Sequence, residues 1–332
     1  MLRCNMTRLT MVRAGLLSLM CMALSGMTIG AVTGEIYPSK PIRIITSEPA
    51  AINDVTTRVL AQGLSLAMGQ QLIVDNRGGA GGAIAGEILA KAMPDGYTLL
   101  SYGSSLWLAP FLRDKVNYDP LRDFAPITIA VSSPVVLVVD PSSVANSVRN
   151  LIALSKVKPA SLNYGSGGAG TTPHLAMELF KAMAGLDIVR VSYKAAGTAV
   201  NDLIGGQVQV MMVTAGSVTP HVKSGKLKAL GVGSSRPSPL AAGLPTIAAS
   251  GVPGYEFTSI WGIFAPAKTS TAIVRTLNQE MTRILKGTEI RERFLNMGVE
   301  AVGSTPEEFG TAVRLETKVL GKLIADLGIR ND

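Results

Sequence analysis

This sequence is poor in the residues that most often carry chemistry. Its 332 residues include two cysteines and two histidines, aromatics make up 5% and charged residues 16%. Both cysteines, Cys4 and Cys21, lie near the amino terminus, so no disulfide framework staples the rest of the chain and no thiol nucleophile is available there. Histidines at 174 and 221 alone cannot build a Cys/His zinc cluster, and no G-x-S-x-G elbow occurs. The lysines and arginines are dispersed. Their densest cluster, Lys223, Lys226 and Lys228, has no aromatic interleaving, which argues against a nucleic-acid surface. What is plentiful is apolar mass and glycine, with 47% hydrophobic residues and 35 glycines. That supports real cores and excludes intrinsic disorder. The length suggests two domains of about 150 residues.

Residues 1–34 carry Arg3, Arg8 and Arg13, no acid, and an apolar stretch from Ala14 to about Val32. A basic segment, an apolar segment and small residues read as a secretory signal peptide, with cleavage after Gly30 or after Gly34. A membrane anchor is the alternative, which Gly26, Gly30 and the threonines weaken. Cys21 follows Met20, too large for a lipoprotein processing site. Processing removes three arginines and no acid, lowering the net charge from +8 to +5. It also removes both cysteines, which suits an oxidising compartment.

Beyond residue 40, strand and helix signals alternate, predicting an α/β protein with mainly parallel sheets flanked by helices. The β-branched run 41–46 precedes apolar residues at helical spacing over 54–68. A strand at 71–74 leads to the glycine loop 78–82 and a helix to about 92, then strands at 97–100 and 134–139. A second set begins with a helix at 147–158 and a strand at 162–164. A second glycine loop and a helix at 171–183 come next, then strands at 188–192, 208–213 and 228–232 with a helix at 198–204 between them. The Pro/Gly/Ser-rich stretch 234–254 carries little regular structure. A returning strand at 261–265 and helices near 270–286, 288–297 and 306–327 close the chain.

The strongest local signal is LNYGSGGAGTTPHL over 162–175. Strand, glycine loop and helix start aim backbone N–H groups and the helix dipole at one point, an arrangement that binds anions. The bland alternative is a tight turn capped by Thr171 or Thr172. Gly165, Gly167 and Gly170 also fit the dinucleotide fingerprint, yet the next strand ends in Ser192-Tyr193-Lys194, without the ribose-binding acid. His174 and His221 read as packing or solvated residues. Glu307 and Glu308 read as complements to a helix dipole. Of the two tryptophans, Trp261 can line a cleft, although core packing is the commoner fate.

At this point the pattern becomes specific. The chain resembles the solute receptors of tripartite tricarboxylate transporters, the Bug family of periplasmic binding proteins. The segments that carry the likeness include YPSKPI (37–42), DNRGGAGG (75–82), PDGYTLL (94–100) and YDPLRDFAP (118–126). Further along stand LVVDPS (137–142), DLIGGQ (202–207), SGKLKAL (224–230), GIFAP (262–266) and GSTPEEF (303–309). The resemblance implies a two-domain Venus-flytrap fold, residues 35–139 plus 260–332 forming one domain and 140–259 the other. A small carboxylate-type ligand would sit between them. The expected partners are permease subunits of such a transporter or a sensor kinase. No nucleic acid, no cofactor and no metal is expected, and the protein is taken as a periplasmic, monomeric non-enzyme. An enzyme reusing the same framework is the rival.

The site residues implied in the second domain are Ser166, Gly168, Ala169, Gly170, Thr171 and Thr172, with Thr214 nearby. In the first domain they are Ser47, Ala50, Ala51, Asn53, Asp54 and Ser104. Here the sequence departs from the family. The usual P-A-G-G-x-x-D loop reads Pro49-Ala50-Ala51-Ile52-Asn53-Asp54, without either glycine, and Glu48 replaces an aromatic. Glu48 would oppose a nearby anion. Residues 209–214 present no acid for a ligand amine, so a carboxylate or neutral ligand lacking an amine is expected.

Overall fold

A computed structural model describes residues 37–330, so the expected signal peptide lies outside the described residues. The chain begins with β1 (Ile42–Thr46), α1 (Ile52–Met68) and β2 (Leu72–Asn76). A 3-10 turn, Ala80–Gly82, then leads into α2 (Ala83–Ala90), β3 (Thr98–Gly103) and α3 (Ser105–Leu112). β1 pairs in parallel with β2 and β3, which makes one wing of the sheet.

The long strand β4 (Phe124–Val139) leaves this wing and enters a second. There follow α4 (Val148–Val157), β5 (Asn163–Ser166), α5 (Thr172–Ala184), β6 (Val189–Ser192), α6 (Ala196–Ile204), β7 (Val210–Thr214), α7 (Ala215–Lys223) and β8 (Lys228–Val232). β5 pairs in parallel with β6 and β7. The chain returns through β9 (Thr258–Pro266) and ends in α8 (Thr271–Leu285), α9 (Thr288–Asn296), β10 (Glu300–Ala301) and α10 (Pro306–Asp326). Among the described residues no helix is long and apolar enough to cross a membrane.

The strand order β2-β1-β3-β9-β4-β7-β5-β6 shows how the wings join. The crossing strands run antiparallel: β9 against β3 and β4, and β4 against β7 and β8. The outer strands of each wing are parallel, as the alternation of strand and helix signals predicts. β4 is far longer than the 134–139 run read from sequence, because Ser132 and Ser133 interrupt its apolar pattern just before Pro134. The interruption is structural. Pro134 pairs with Thr258, the first residue of β9, and Val135 opposite Thr214 begins the β7 pairing. A residue without an N–H is tolerated where one ladder hands over to another.

The sequence also passed over α3, whose SLWLAPFL is apolar all round rather than amphipathic. Its residues are accordingly core: Leu106, Trp107, Leu108, Ala109 and Leu112 are all buried. Trp107 packs edge-on against Phe264 and Phe309, tying α3 to β9 and α10.

Candidate functional site

Parallel strands followed by helices leave the strand C-termini and the helix N-termini on the same side of a sheet, and that side holds the cavity. Its volume is about 500 Å3, ample for a small metabolite. Five helices begin at its wall: α1 at Ala51 and Ile52, α3 at Ser104 and Ser105, α5 at Thr171 and Thr172, α6 at Ala196, and α7 at Thr214. None of the five has a side chain capping its first turn. Of the five described helices that start elsewhere, three are capped, by Ser147 on α4, Ser270 on α8 and Thr305 on α10, whereas α2 and α9 follow a glycine and are not.

The cap-type residues at the cavity are engaged sideways. The Thr171 hydroxyl donates to the Gly168 carbonyl (2.8 Å), and Thr214 pairs with Ser217 (2.9 Å). The Ser104 hydroxyl bonds Glu316. Five sets of first-turn N–H groups therefore face a common space without an internal acceptor, each carrying the positive end of a helix dipole.

The second-wing loop is held from behind. Arg190 donates through Nε to Ser166 Oγ and through Nη2 to the Gly167 carbonyl, both at 2.8 Å. His174 Nδ1 accepts the Gly170 N–H at 3.1 Å, which requires the neutral imidazole. Burial, helped by the Arg190 charge, depresses its pKa to about 4. Gly170 takes a positive φ of 74°, and a Cβ there would lie 2.6 Å from the Leu112 side chain. The sequence leaves His174 as either a packing or a solvated residue; it is buried, and it also fixes the loop.

The first-wing loop uses a buried polar cluster. Asn53 Nδ2 donates to Thr46 Oγ1 (3.0 Å) and the Ser101 carbonyl (2.7 Å), and its Oδ1 accepts from Ser101 Oγ (3.2 Å). Asp54 accepts from the Ala50 N–H, Arg58 and Asn76. Burial raises the Asp54 pKa, but these hydrogen bonds and the Arg58 charge outweigh it and hold the carboxyl below its ordinary value. With the family's glycines gone, Ala50 itself takes the left-handed conformation, at φ 64°.

Nine of the thirteen site residues read from sequence line the cavity: Ser47, Ala51, Asn53, Ser104, Ala169, Gly170, Thr171, Thr172 and Thr214. The other four stand outside its lining. Ala50 is exposed. Asp54 is consumed within its own loop, Ser166 is turned toward Arg190, and the Gly168 carbonyl is occupied by Thr171. Their contribution is to the shape of the two loops.

Sequence reasoning missed Tyr102, Arg113 and Ser259; Trp261, which the sequence allows to line a cleft although core packing is commoner, lines the cavity. The Arg113 guanidinium, at the end of α3, makes no hydrogen bond or ion pair among the described residues. Because the helix that carries it left no amphipathic signature, nothing in the sequence pointed to it. The Ser47 hydroxyl is buried with no hydrogen-bond partner among the described residues. Behind the wall, Glu316 accepts the Trp107 Nε1 hydrogen at 3.1 Å. Burial pushes its carboxyl up to about 7, against the pull of hydrogen bonds from Ser104 and Trp107.

The profile of the tripartite tricarboxylate transporter family receptors matches residues 56–329. Protein BugT of Bordetella pertussis is 35% identical over 280 residues, covering 83% of this chain and 86% of its own length. The solved structure of R. palustris Rpa4515 with adipate is 31% identical, with a TM-score of 0.73 over 89% of this chain and 99% of that one. A solute-binding protein from Polaromonas, solved without ligand, is 26% identical, with a TM-score of 0.79 over 87% of this chain and 99% of that one.

Proposed function

The chain belongs to the tripartite tricarboxylate transporter receptor family, and from that premise we propose that it is a periplasmic, non-enzymatic receptor that captures a small organic acid in the cavity and delivers it to the permease subunits of such a transporter. The observation that carries the reading is the convergence of five uncapped helix N-termini on one space. Each favours an anion by about 0.3–1 kcal/mol at an exposed site and more where water is excluded. Several together, with the desolvation of a small ligand, approach the roughly 8 kcal/mol of a micromolar complex.

The relative of known structure that was solved with adipate supports a carboxylate as the ligand class. Neither histidine lines the cavity, and the more buried one is committed to Gly170, which favours a receptor over an enzyme. In this reading residues 35–139 with 260–332 form one lobe and 140–259 the other, with β4 and β9 as the connections between them. The ligand touches both lobes and so favours a closed arrangement that the permease recognises. Ser259, on the connection β9, meets Thr172 at the start of α5, their hydroxyls 3.1 Å apart.

Native mass spectrometry of freshly purified protein tests the proposal. A co-purified organic acid is the expected result, and adding that acid at 100 times its Kd should stabilise the stripped protein by about 2.7 kcal/mol. A panel of organic acids that leaves thermal unfolding unchanged, with no acid co-purifying, would overturn it.

A further inference from the structure

The cavity wall carries a carboxylate that an anion receptor has no evident use for. Glu48 lines the cavity beside Ser47. It is not a loose surface rotamer. The Gly79 N–H donates to Glu48 Oε1 at 2.7 Å, and Gly78 lies so close that a Cβ there would fall 2.3 Å from the Glu48 carboxyl carbon. The glycine loop after β2 thus packs against this carboxyl, and a side chain at 78 would displace it.

One carboxyl oxygen is used in that contact. Oε2 has no hydrogen bond, and Glu48 makes no ion pair, among the described residues. Its neighbours offer no cation either. The Ser47 hydroxyl is buried without a partner. Tyr102 feels the negative charge of Glu48, which adds to burial in raising its pKa to about 12 and keeps its hydroxyl protonated. The other charged group at the wall, Arg113, is not within ion-pair distance of Glu48 and has no anion of its own. The cavity therefore has one unmatched acceptor pole and one unmatched cationic pole, and a ligand that fits must complement both.

We propose that Glu48 makes this cleft selective for a monocarboxylate whose far end donates hydrogen bonds, a hydroxyl or an ammonium group, over acids with a carboxylate at each end. The inference rests on the carboxylate-receptor reading and narrows it. The ligand's single carboxylate meets Arg113 and the helix N-termini, and its donor end meets Glu48 Oε2. A second carboxylate placed there would face a like charge that the Gly79 N–H holds in place. The acid absent from residues 209–214 is thus supplied from the opposite wing, which restores an amine-bearing ligand to consideration.

Calorimetry on the stripped protein tests this with matched sets of four, five and six carbons: succinate, glutarate and adipate against the corresponding terminal hydroxy acids and terminal amino acids. The wild-type protein should bind at least one hydroxy or amino acid tenfold or more tightly than the diacid of the same length. Glu48→Gln keeps an acceptor for the Gly79 N–H and removes the charge. It should close that gap, mainly by gaining diacid affinity, with its melting temperature little changed. If the ammonium is the native donor, the amino acid should lose more affinity in the variant than the hydroxy acid.

Equal or tighter binding of diacids by the wild-type protein, or a gap that survives Glu48→Gln, overturns the selectivity and leaves the carboxylate reading standing. No binding of any of the nine compounds to either protein counts against both.

Discussion

The two loops that face the cavity have the same task and solve it with different chemistry. Each follows a parallel strand and opens a helix whose first turn is left free for a ligand. The loop after β5 is built of glycines, adopts a positive φ where Gly170 needs one, and is clamped from behind by Arg190 and His174. The loop after β1 has no glycine at 49–54. It forces Ala50 into a left-handed conformation and is held by the side chains of Asn53 and Asp54. A glycine loop obtains its shape from backbone freedom and needs only to be kept from wandering. A loop of alanines obtains its shape against backbone preference and needs a buried polar cluster to impose it.

The comparison is broken most severely at Asn53. Asn53→Ala leaves Thr46, Ser101 Oγ and the Ser101 carbonyl with unmet hydrogen bonds in a buried place. It should destabilise the protein by about 3–4 kcal/mol, measured by urea unfolding. A loss under about 1 kcal/mol would mean the cluster does not hold the loop.

Acid should separate the two loops next. In the unfolded chain His174 binds a proton near its ordinary 6.5, whereas in the folded chain it does so only near 4. The folded state binds fewer protons across that window, so stability falls as pH drops from 6.5 toward 4, by at most about 3 kcal/mol. The Asp54 carboxyl is held below its ordinary 3.8, so its contribution is complete above 3.8 and is lost only at lower pH. The glycine loop is thus the first to give way in acid. His174→Gln retains an acceptor for the Gly170 N–H and should be visibly less acid-sensitive than wild type between pH 6.5 and 4. Parallel pH profiles for the two proteins would show that His174 is not the sensitive group.

The smallest effect has the opposite sign. Ala50→Gly relieves the left-handed strain at the cost of a more flexible unfolded chain, and should stabilise by about 0.5–1 kcal/mol. A destabilised variant would mean that the Ala50 conformation carries no strain worth relieving.

Most of the fold was legible because its signals are local. The β-branched run at 41–46, the helical spacing after it, and the helix near 306–327 each depend on neighbours a few residues away. The elements that were missed or truncated have signals that mislead locally. Helix α3 carries apolar residues all round, most of them buried although Pro110 is exposed, and β4 contains a proline where it changes partners. The site divides the same way. Ala169, Gly170, Thr171 and Thr172 announce themselves as a strand–glycine–helix junction, and the structure lines the cavity with them. Tyr102, Arg113 and Trp261 come from three separate elements and carry no motif of their own.

By itself the sequence determined the alternation of elements, the family, the two glycine-rich turns and the dearth of reactive groups. Tertiary structure decided which helix starts share one space, which hydroxyls are diverted from capping, and where Glu48 and Arg113 stand. The reason is the range of the interactions. Periodicity, turns and propensity act over a few residues, whereas the cavity wall is assembled from residues that lie up to 214 positions apart, from Ser47 just after β1 to Trp261 on β9. A carboxylate that looked misplaced in the sequence becomes intelligible only when the Gly79 N–H and the open cavity are seen on either side of it.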